Sequence, residues 1–405
     1  MFEALRNRDF RLLWFARSVS LLGSWLLVVA VPAYVFTLTG SLVATGLTLA
    51  AEFLPPVLLG PIAGVLVDRW DRRRVMIAAD LLRAVAVALL VLAREPGDVW
   101  LVYLALVAES VGTVLFRPAA QAHTPVVVGS GNTLSSANAL NAVTDGVVRL
   151  VGAPLGGVLL GWAGFDLLVW VDTATYLLSA VAIVLTTRLT APTERAPGGV
   201  GAILAELRAG LAFLRAERTA RGLLLVNTVF LGANACLTAL LIPFGVTVLG
   251  GSGQVGLVMS ALGVGFLLGS PLVRVLVDRT APAYLLGGAL VVTGVGFALL
   301  FAATTLLLAL PAAVLIGAAG STALVVGQTT LQRVTPNEVL GRIGSVLFTG
   351  EAIATFAGAV VGPAVAQALS ITWAAYLAGA ATVLSGLIGL LLPRRQVEEP
   401  RPAQA

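Results

Sequence analysis

The sequence predicts an all-α integral membrane protein: twelve transmembrane helices arranged as two pseudo-symmetric six-helix halves. Three observations lead there. Of the 405 residues, 58% are hydrophobic and 11% charged, whereas a soluble domain carries roughly 25% charged residues. Apolar runs recur along the whole chain, and a run of about 20 residues is long enough to cross a bilayer. Segments of the first half return in the second at a nearly constant offset. A chain with mean hydropathy +0.98 cannot cover a water-facing surface, which excludes an ordinary soluble enzyme, a disordered protein and a nucleic-acid binder. The net charge of +5 is then the charge of its loops.

Reading apolar runs between breakers places helices over 11–37, 42–67, 75–94, 99–121, 137–162, 167–187, 222–249, 254–277, 282–302, 306–331, 340–369 and 371–392. Gly and Pro inside them are no veto, because neighbouring helices and waters satisfy the freed backbone groups in a membrane. The first run is too long for a cleavable signal peptide. All basic residues are Arg, and they sort by loop. Arg6, Arg8 and Arg11 precede helix 1; Arg69, Arg72, Arg73 and Arg74 follow helix 2; Arg188, Arg195, Arg208, Arg215, Arg218 and Arg221 fill the central segment; Arg394, Arg395 and Arg401 close the chain. The alternate loops hold only Arg94. By the positive-inside rule both termini are expected in the cytoplasm. The units are then 1–187 and 222–392, two six-helix bundles; 188–221, a cytoplasmic linker; and 393–405, a disordered tail. In the linker, Val200, Ile203, Leu204, Leu207, Leu211 and Leu214 recur at helical spacing. They suit either an amphipathic helix on the membrane face or a linker helix packed on protein.

The repeat is explicit. PIAGVLVDR (Pro61–Arg69) and PLVRVLVDR (Pro271–Arg279) lie 210 positions apart, and QAHTP (Gln121–Pro125) and QRVTP (Gln332–Pro336) lie 211 apart. Parallel six-helix repeats pack about an axis along the membrane normal, with a cavity between them. Rocking of one half on the other would expose that cavity to each side in turn, as a transporter requires.

The loop after helix 2 reads GVLVDRWDRRRVM, from Gly64 to Met76. It resembles the signature of the major facilitator superfamily, matching at Gly64, Leu66, Asp68, Arg69, Arg72 and Arg73. Asp71 stands where the pattern has Gly, and Met76 where it has Leu or Ile. NRDFRLLWFAR, DRWDRRRVMIAADLLRA and TPNEVLGRIGSVL look like the branch of enterobactin exporters and macrolide-efflux-type proteins. GAPLGG (Gly152–Gly157) is similar to the Gly-Pro motif of drug–proton antiporters, with the spacing shifted by one residue. The resemblance implies a secondary active transporter of the bacterial inner membrane, a proton-coupled exporter of amphipathic small molecules of drug or siderophore type. It also implies a latch in which Asp68 faces the N-terminus of helix 11, whose dipole favours an anion. Gly64, Arg69, Arg72 and Arg73 would belong to it, with Asp80 and Arg83 extending it and Asp278 and Arg279 as the second copy. Asp68 and its arginines could instead only set topology. A facilitator or uniporter of a lipid or siderophore, and a sensor that does not transport, are the other readings.

A charge at the bilayer centre costs at least ~2.5–3.5 kcal/mol on insertion scales, so it needs a partner or a wet cavity. Asn138, Asn141, Asp145 and Arg149 form a polar stripe on helix 5, continued by Gly152 and Gly156. Measured from Arg117, taken as the inner end of helix 4, and from the start of helix 5 at 137, Glu109 and Asp145 each lie eight residues in, at an equal depth of about 12 Å. A Glu109–Arg149–Asp145 cluster is therefore expected, either coupling transport to protons or permanently paired. Glu52 and Glu351 are candidates to line the cavity and meet a cationic substrate group, or buried hydrogen-bonded acids; Asp172 is expected to be structural. Asn227, Asn234 and Thr238 on helix 7, and Ser321, Gln328 and Gln332 on helix 10, could face the cavity or bond between helices. Trp25, Tyr34 and Phe36 are aromatic candidates. His123, the single histidine, is expected in a cytoplasmic loop. One His and one Cys (Cys236) build no metal site, and without Lys no phosphate-binding loop of the GxxxxGK type can form. The expected partners are a small-molecule substrate, protons and membrane lipid, with no cofactor and no nucleic acid, for a monomer.

Overall fold

The computed structural model describes residues 3–68, 70–129, 132–187, 201, 208, 212, 215–276, 280–334 and 337–391. Every element among the described residues is helical. α1 (Arg8–Thr39) and α2 (Leu42–Asp68) form the first hairpin. α3 (Arg72–Ala88) runs on through a 3-10 turn, Leu89–Leu92, and α4 spans Val99–Val128. α5 and α6 are one stretch, Asn132–Val184, broken at Gly164, where φ is 81° and ψ 172°. Only a residue without Cβ takes that conformation freely, so Gly164 is where the chain turns back across the bilayer. α7 (Arg218–Phe244) ends in a π turn, Gly245–Leu249. α8 (Ser252–Leu276), α9 (Pro282–Ala302), α10 (Leu306–Val334), α11 (Asn337–Ala368) and α12 (Ile371–Leu390) complete the second half. Among the described residues, ten stretches are long and apolar enough to cross a membrane, and a shorter apolar one, Gly253–Gly269, lies in α8. One of the ten, Thr133–Val184, carries two spans across Gly164, so the helices agree with the twelve expected. Most of the central linker and the tail beyond Leu391 lie outside the described residues.

The helices pack as a duplicated set. α1 lies on the α5–α6 stretch, α2 on α4, and α3 on both α4 and the α5–α6 stretch. In the second half α7 lies on α11 and α12, α8 on α10, and α9 on both α10 and α12. Raising each helix number in the first set by six gives the second. Between the halves the large contacts are α2 on α11 and α5 on α8, which the same operation exchanges.

Among the described residues, the apolar core shared by the two halves lies at one end. Call the end that holds the start of α1 and the α2–α3 turn the terminal face, and the other the far face. The apolar cluster that joins both halves is built from Val29 and Ala33 of α1 and Ala153 of α5, packed with α7–α12 residues such as Leu240, Val255 and Ala374. All of these lie toward the far face. The clusters nearer the terminal face stay within one half: Ala16, Met76, Phe116 and Ile183 in the first, Leu223, Leu290, Val326 and Val346 in the second. Among the described residues, then, the halves share a core at the far face, while the clusters toward the terminal face each stay within one half.

Close crossings rest on glycine. A Cβ on Gly152 would sit 2.6 Å from Trp25 Cβ, and one on Gly156 would collide with the Leu26 carbonyl oxygen. Gly156→Val should lower the melting temperature of the purified protein in detergent, by an overpacking cost of about 1–3 kcal/mol. Gly161→Ala, which would meet nothing within 4 Å, should leave it unchanged.

Candidate functional site

Buried polar groups concentrate in the first half, between α1, α3, α4 and α6. Asp80 and Arg83, three residues apart on α3, form an ion pair with side-chain exposures of 0% and 6%. The Ser179 hydroxyl donates to the other Asp80 oxygen at 2.6 Å. The guanidinium lies between two rings, 4.3 Å from the Phe116 centroid and 4.5 Å from that of Tyr176, an arrangement that favours a desolvated cation. Gly112 on α4 leaves the room, since a Cβ there would sit 2.6 Å from Arg83 Cγ. One turn toward the far face, Glu109 Oε1 accepts from the Tyr176 hydroxyl at 2.8 Å and from the Thr113 hydroxyl at 2.8 Å. Tyr176 also shares a 2.8 Å hydrogen bond with Ser24 of α1. Asp172, buried against Gly23, accepts from Thr175 at 3.0 Å. Glu109 and Arg117 are the charges that act on Glu52, which is half-buried.

The expected Glu109–Arg149–Asp145 cluster is not the arrangement the side chains adopt. Asp145 pairs with Arg17 of α1 at 2.6 Å. Arg149, exposed, lies 5.4 Å above the Trp25 ring. Glu109 takes hydroxyl partners alone among the described residues. The reason is depth. α4 continues to Val128 and α5 begins at Asn132. Glu109 therefore lies 19 residues from its terminal-face end and Asp145 13 from its own, which at 1.5 Å per residue separates them by about 9 Å along the helix axes. The same extension of α4 overturns the expected loop position of His123. It lies inside the helix, 3% exposed, with Nε2 lacking a partner.

In the second half the charged side chain described at depth is Glu351, which accepts from Asn227 Nδ2 at 3.0 Å. Asn138 and Gln328 are exposed and Asn141 half-buried. Asn234 lends its carbonyl to Thr238 at 2.8 Å. Ser321 is fully buried, donating to Ala318 O at 3.0 Å, so it bonds within its own helix. Tyr34 stacks on Phe165 at 4.0 Å and donates to Ala93 O, serving far-face packing. A cavity of about 370 Å³ between α7, α11 and α12 is lined by apolar and small residues including Gly232, Cys236, Gly358 and Leu377. α12 has no large contact with the first half, so this cavity lies on the flank of the bundle, away from the central gap.

Of the latch, Arg72 donates to Ala122 O at 3.0 Å and so ties the start of α3 to the end of α4. Arg73 holds the end of α6, donating to the carbonyls of Ile183 at 3.1 Å and Val184 at 2.5 Å, where the helix dipole favours a cation. Asp71, the departure from the superfamily pattern, caps α3 through Arg74 N at 2.8 Å. The side chains of Gly64, Asp68, Arg69, Gln332, Asp278 and Arg279 lie outside those described.

Sequence reasoning passed over Arg17, Ser24, Thr113, Tyr176 and Ser179. Two signals were there: Arg17 is an arginine nine residues into an apolar helix, and Asp172, Thr175, Tyr176 and Ser179 share one face of α6.

Comparison with known proteins agrees with this architecture. Macrolide efflux protein A of Streptococcus pyogenes is 28% identical over 224 residues, 55% of this chain and 55% of that protein. Multidrug efflux pump Tap of Mycolicibacterium fortuitum is 28% identical over 257 residues, 62% and 63% of the two chains. The chain thus matches little more than half the length of these relatives. The crystal structure of the nucleoside transporter NupG (D323A mutant) superposes with a TM-score of 0.76 at 13% identity, covering 95% of this chain and 98% of that one, a likeness of fold alone. Residues 1–404 match the transmembrane secretion effector family, and the chain belongs to that family of the major facilitator superfamily: a multi-pass membrane protein of a bacterial transporter family, among transporters rather than enzymes.

Proposed function

We propose that the protein exports amphipathic small molecules, of drug or siderophore type, in exchange for protons. It works as a monomer in the bacterial cytoplasmic membrane with both termini inside, so the terminal face is the cytoplasmic one. The carrying observation is Glu109: a carboxylate inside the bundle held by two hydroxyls, which can take up a proton without breaking an ion pair. Asp145 is compensated by Arg17, and that pair with Arg149 lines the approach to it. The core that the halves share at the far face supports the reading of one end state of an alternating-access cycle. In the other state the Asp68 latch, with Gly64, Arg69 and the second copy at Asp278 and Arg279, joins the halves on the cytoplasmic side. The efflux relatives support the direction. Trp25, Glu52, Asn138, Asn141, Asn234 and Gln328 supply the apolar and polar lining that a mostly apolar cargo needs.

The test is uptake into inverted vesicles, with and without a pH gradient, across a panel of drugs, siderophores and lysolipids. Accumulation of at least one class should collapse when the gradient is dissipated. Flux indifferent to the gradient would make the protein a facilitator, and binding without flux would make it a sensor.

A further inference from the structure

The two copies of one helix seam differ by a charge. Arg17 and Asn227 are 210 positions apart, each nine residues into its helix, α1 and α7. Asp145 and Glu351 are 206 apart, 13 and 14 residues into α5 and α11. The contacts beyond them repeat at the same two offsets. Gly152 packs on Trp25 and Gly156 on Leu26, while Gly358 packs on Gly232 and Ala235 and Gly362 on Cys236. Arg17–Asp145 and Asn227–Glu351 are therefore the same clamp in duplicate. The first copy is an ion pair at 2.6 Å; the second is an amide donating to a carboxylate at 3.0 Å.

An Asn supplies a hydrogen bond but no charge, so the Glu351 carboxylate keeps the cost that Arg17 removes from Asp145. The facing groups do not make it up. Asn227 is the polar neighbour from α7; Glu52, also acidic, is the charge that α2 carries among the described side chains; α12 carries no charged residue between Ile371 and Leu390. Seven residues before Gly358, Glu351 projects about 20° from that α7-facing position. It turns toward Ala359, whose carbonyl faces Gly46 of α2. It is half-buried, on the side of α11 that turns from α7 toward α2.

We propose that Glu351 and Asn227 form a cation site for the protonated amine of the cargo, which takes the place of the missing arginine, with a proton as its competitor. That the occupant is cargo rests on the exporter reading; that the site takes an organic cation does not. The amide orients the carboxylate and the cargo's ammonium completes the pair, so the chemical class is the amphipathic base.

The probe is a coumarin amide with a dimethylaminopropyl arm, against the same coumarin with a plain propyl arm. Equilibrium binding is read by fluorescence on the purified full chain, and flux in proteoliposomes. The wild type should prefer the amine probe. Glu351→Gln should weaken amine binding at least about tenfold, a loss of one charge-assisted bond, and leave the neutral probe unchanged. Glu351→Asp should retain the preference. Asn227→Arg, which rebuilds the first copy's ion pair, should erase it without loss of thermal stability. Equal amine affinity in wild type and Glu351→Gln, or an equal fall for both probes, would overturn the site. Amine binding that depends on Glu351 without any flux would keep the site and remove the exporter reading.

Discussion

Replacing Asp80 by Asn is expected to cost the protein about 3–5 kcal/mol, the usual penalty for breaking a buried ion pair by removing one partner. The replacement leaves Arg83 charged in a place built for a compensated cation. Its side chain is 6% exposed, and Phe116 and Tyr176 cover both faces of the guanidinium. The rings attract a cation, but each such contact is worth at most about 2 kcal/mol when desolvated, and Arg83 Nε already lacks a hydrogen-bond acceptor. Glu109 and Asp172 also act on Arg83, but among the described residues neither is paired with it as Asp80 is. The neutral Asn also has an amide end facing Arg83 or Ser179, whereas Asp80 accepts from both. The measurement is the melting temperature and monodisperse yield of the full chain in detergent. Because a buried pair can be exchanged for apolar residues at little cost, Asp80→Leu combined with Arg83→Met should recover most of the loss. A single Asn variant that melts with the wild type would show the pair to be dispensable.

Much of the fold was legible because a membrane imposes one rule on the whole chain: each span must be long, apolar and helical. The duplication was equally open, since VLVDR appears twice at the same helix end. Helix ends were less open. Pro125 and the polar segment around His123 look like a loop, yet α4 runs through both to Val128. Proline is tolerated there because packed neighbours support the interrupted turn: next to Gln121, whose carbonyl Pro125 leaves without its helical donor, Arg72 from the next helix in space donates to Ala122 O. Error in the ends propagated into the site, because depths counted from the wrong ends placed Glu109 level with Asp145. Partner choice was hidden for another reason. Periodicity places Asp145 and Arg149 on one face of one helix, but it carries no information on which helix faces them. The side chain that wins, Arg17, lies 128 positions away, and its selection depends on the rotation of α1 that Gly152 and Gly156 fix by close contact. The Tyr176–Glu109 bond is invisible for the same cause, being a contact between α6 and α4 across 67 positions.

Glu109→Gln should abolish proton-driven export while leaving exchange of cargo across the membrane intact. The substitution preserves shape and removes only the ability to titrate, so its effect isolates the proton. In the wild type one oxygen of Glu109 receives both the Tyr176 and the Thr113 hydroxyls at 2.8 Å. A proton taken up on the other oxygen leaves this one a weaker, uncharged acceptor, so it holds the Tyr176 hydroxyl less firmly, and the other contact of that hydroxyl is Ser24 of α1. Protonation of a group on α4 is thereby felt by α1, the helix whose Val29 and Ala33 sit in the core that the halves share at the far face. A Gln cannot change between these two states. In proteoliposomes carrying a pH gradient, accumulation should fall at least about tenfold, to the level of a driving force that is no longer coupled, while counterflow of labelled against unlabelled cargo continues. Tyr176→Phe should slow driven export without abolishing it, because Thr113 still holds the carboxylate. Asp145→Asn should act differently, leaving Arg17 without its partner and impairing driven export and exchange together. If Glu109→Gln still accumulates cargo against its gradient and Asp145→Asn alone does not, the proton is carried at the Arg17 pair and the hydroxyl-held carboxylate is only structural.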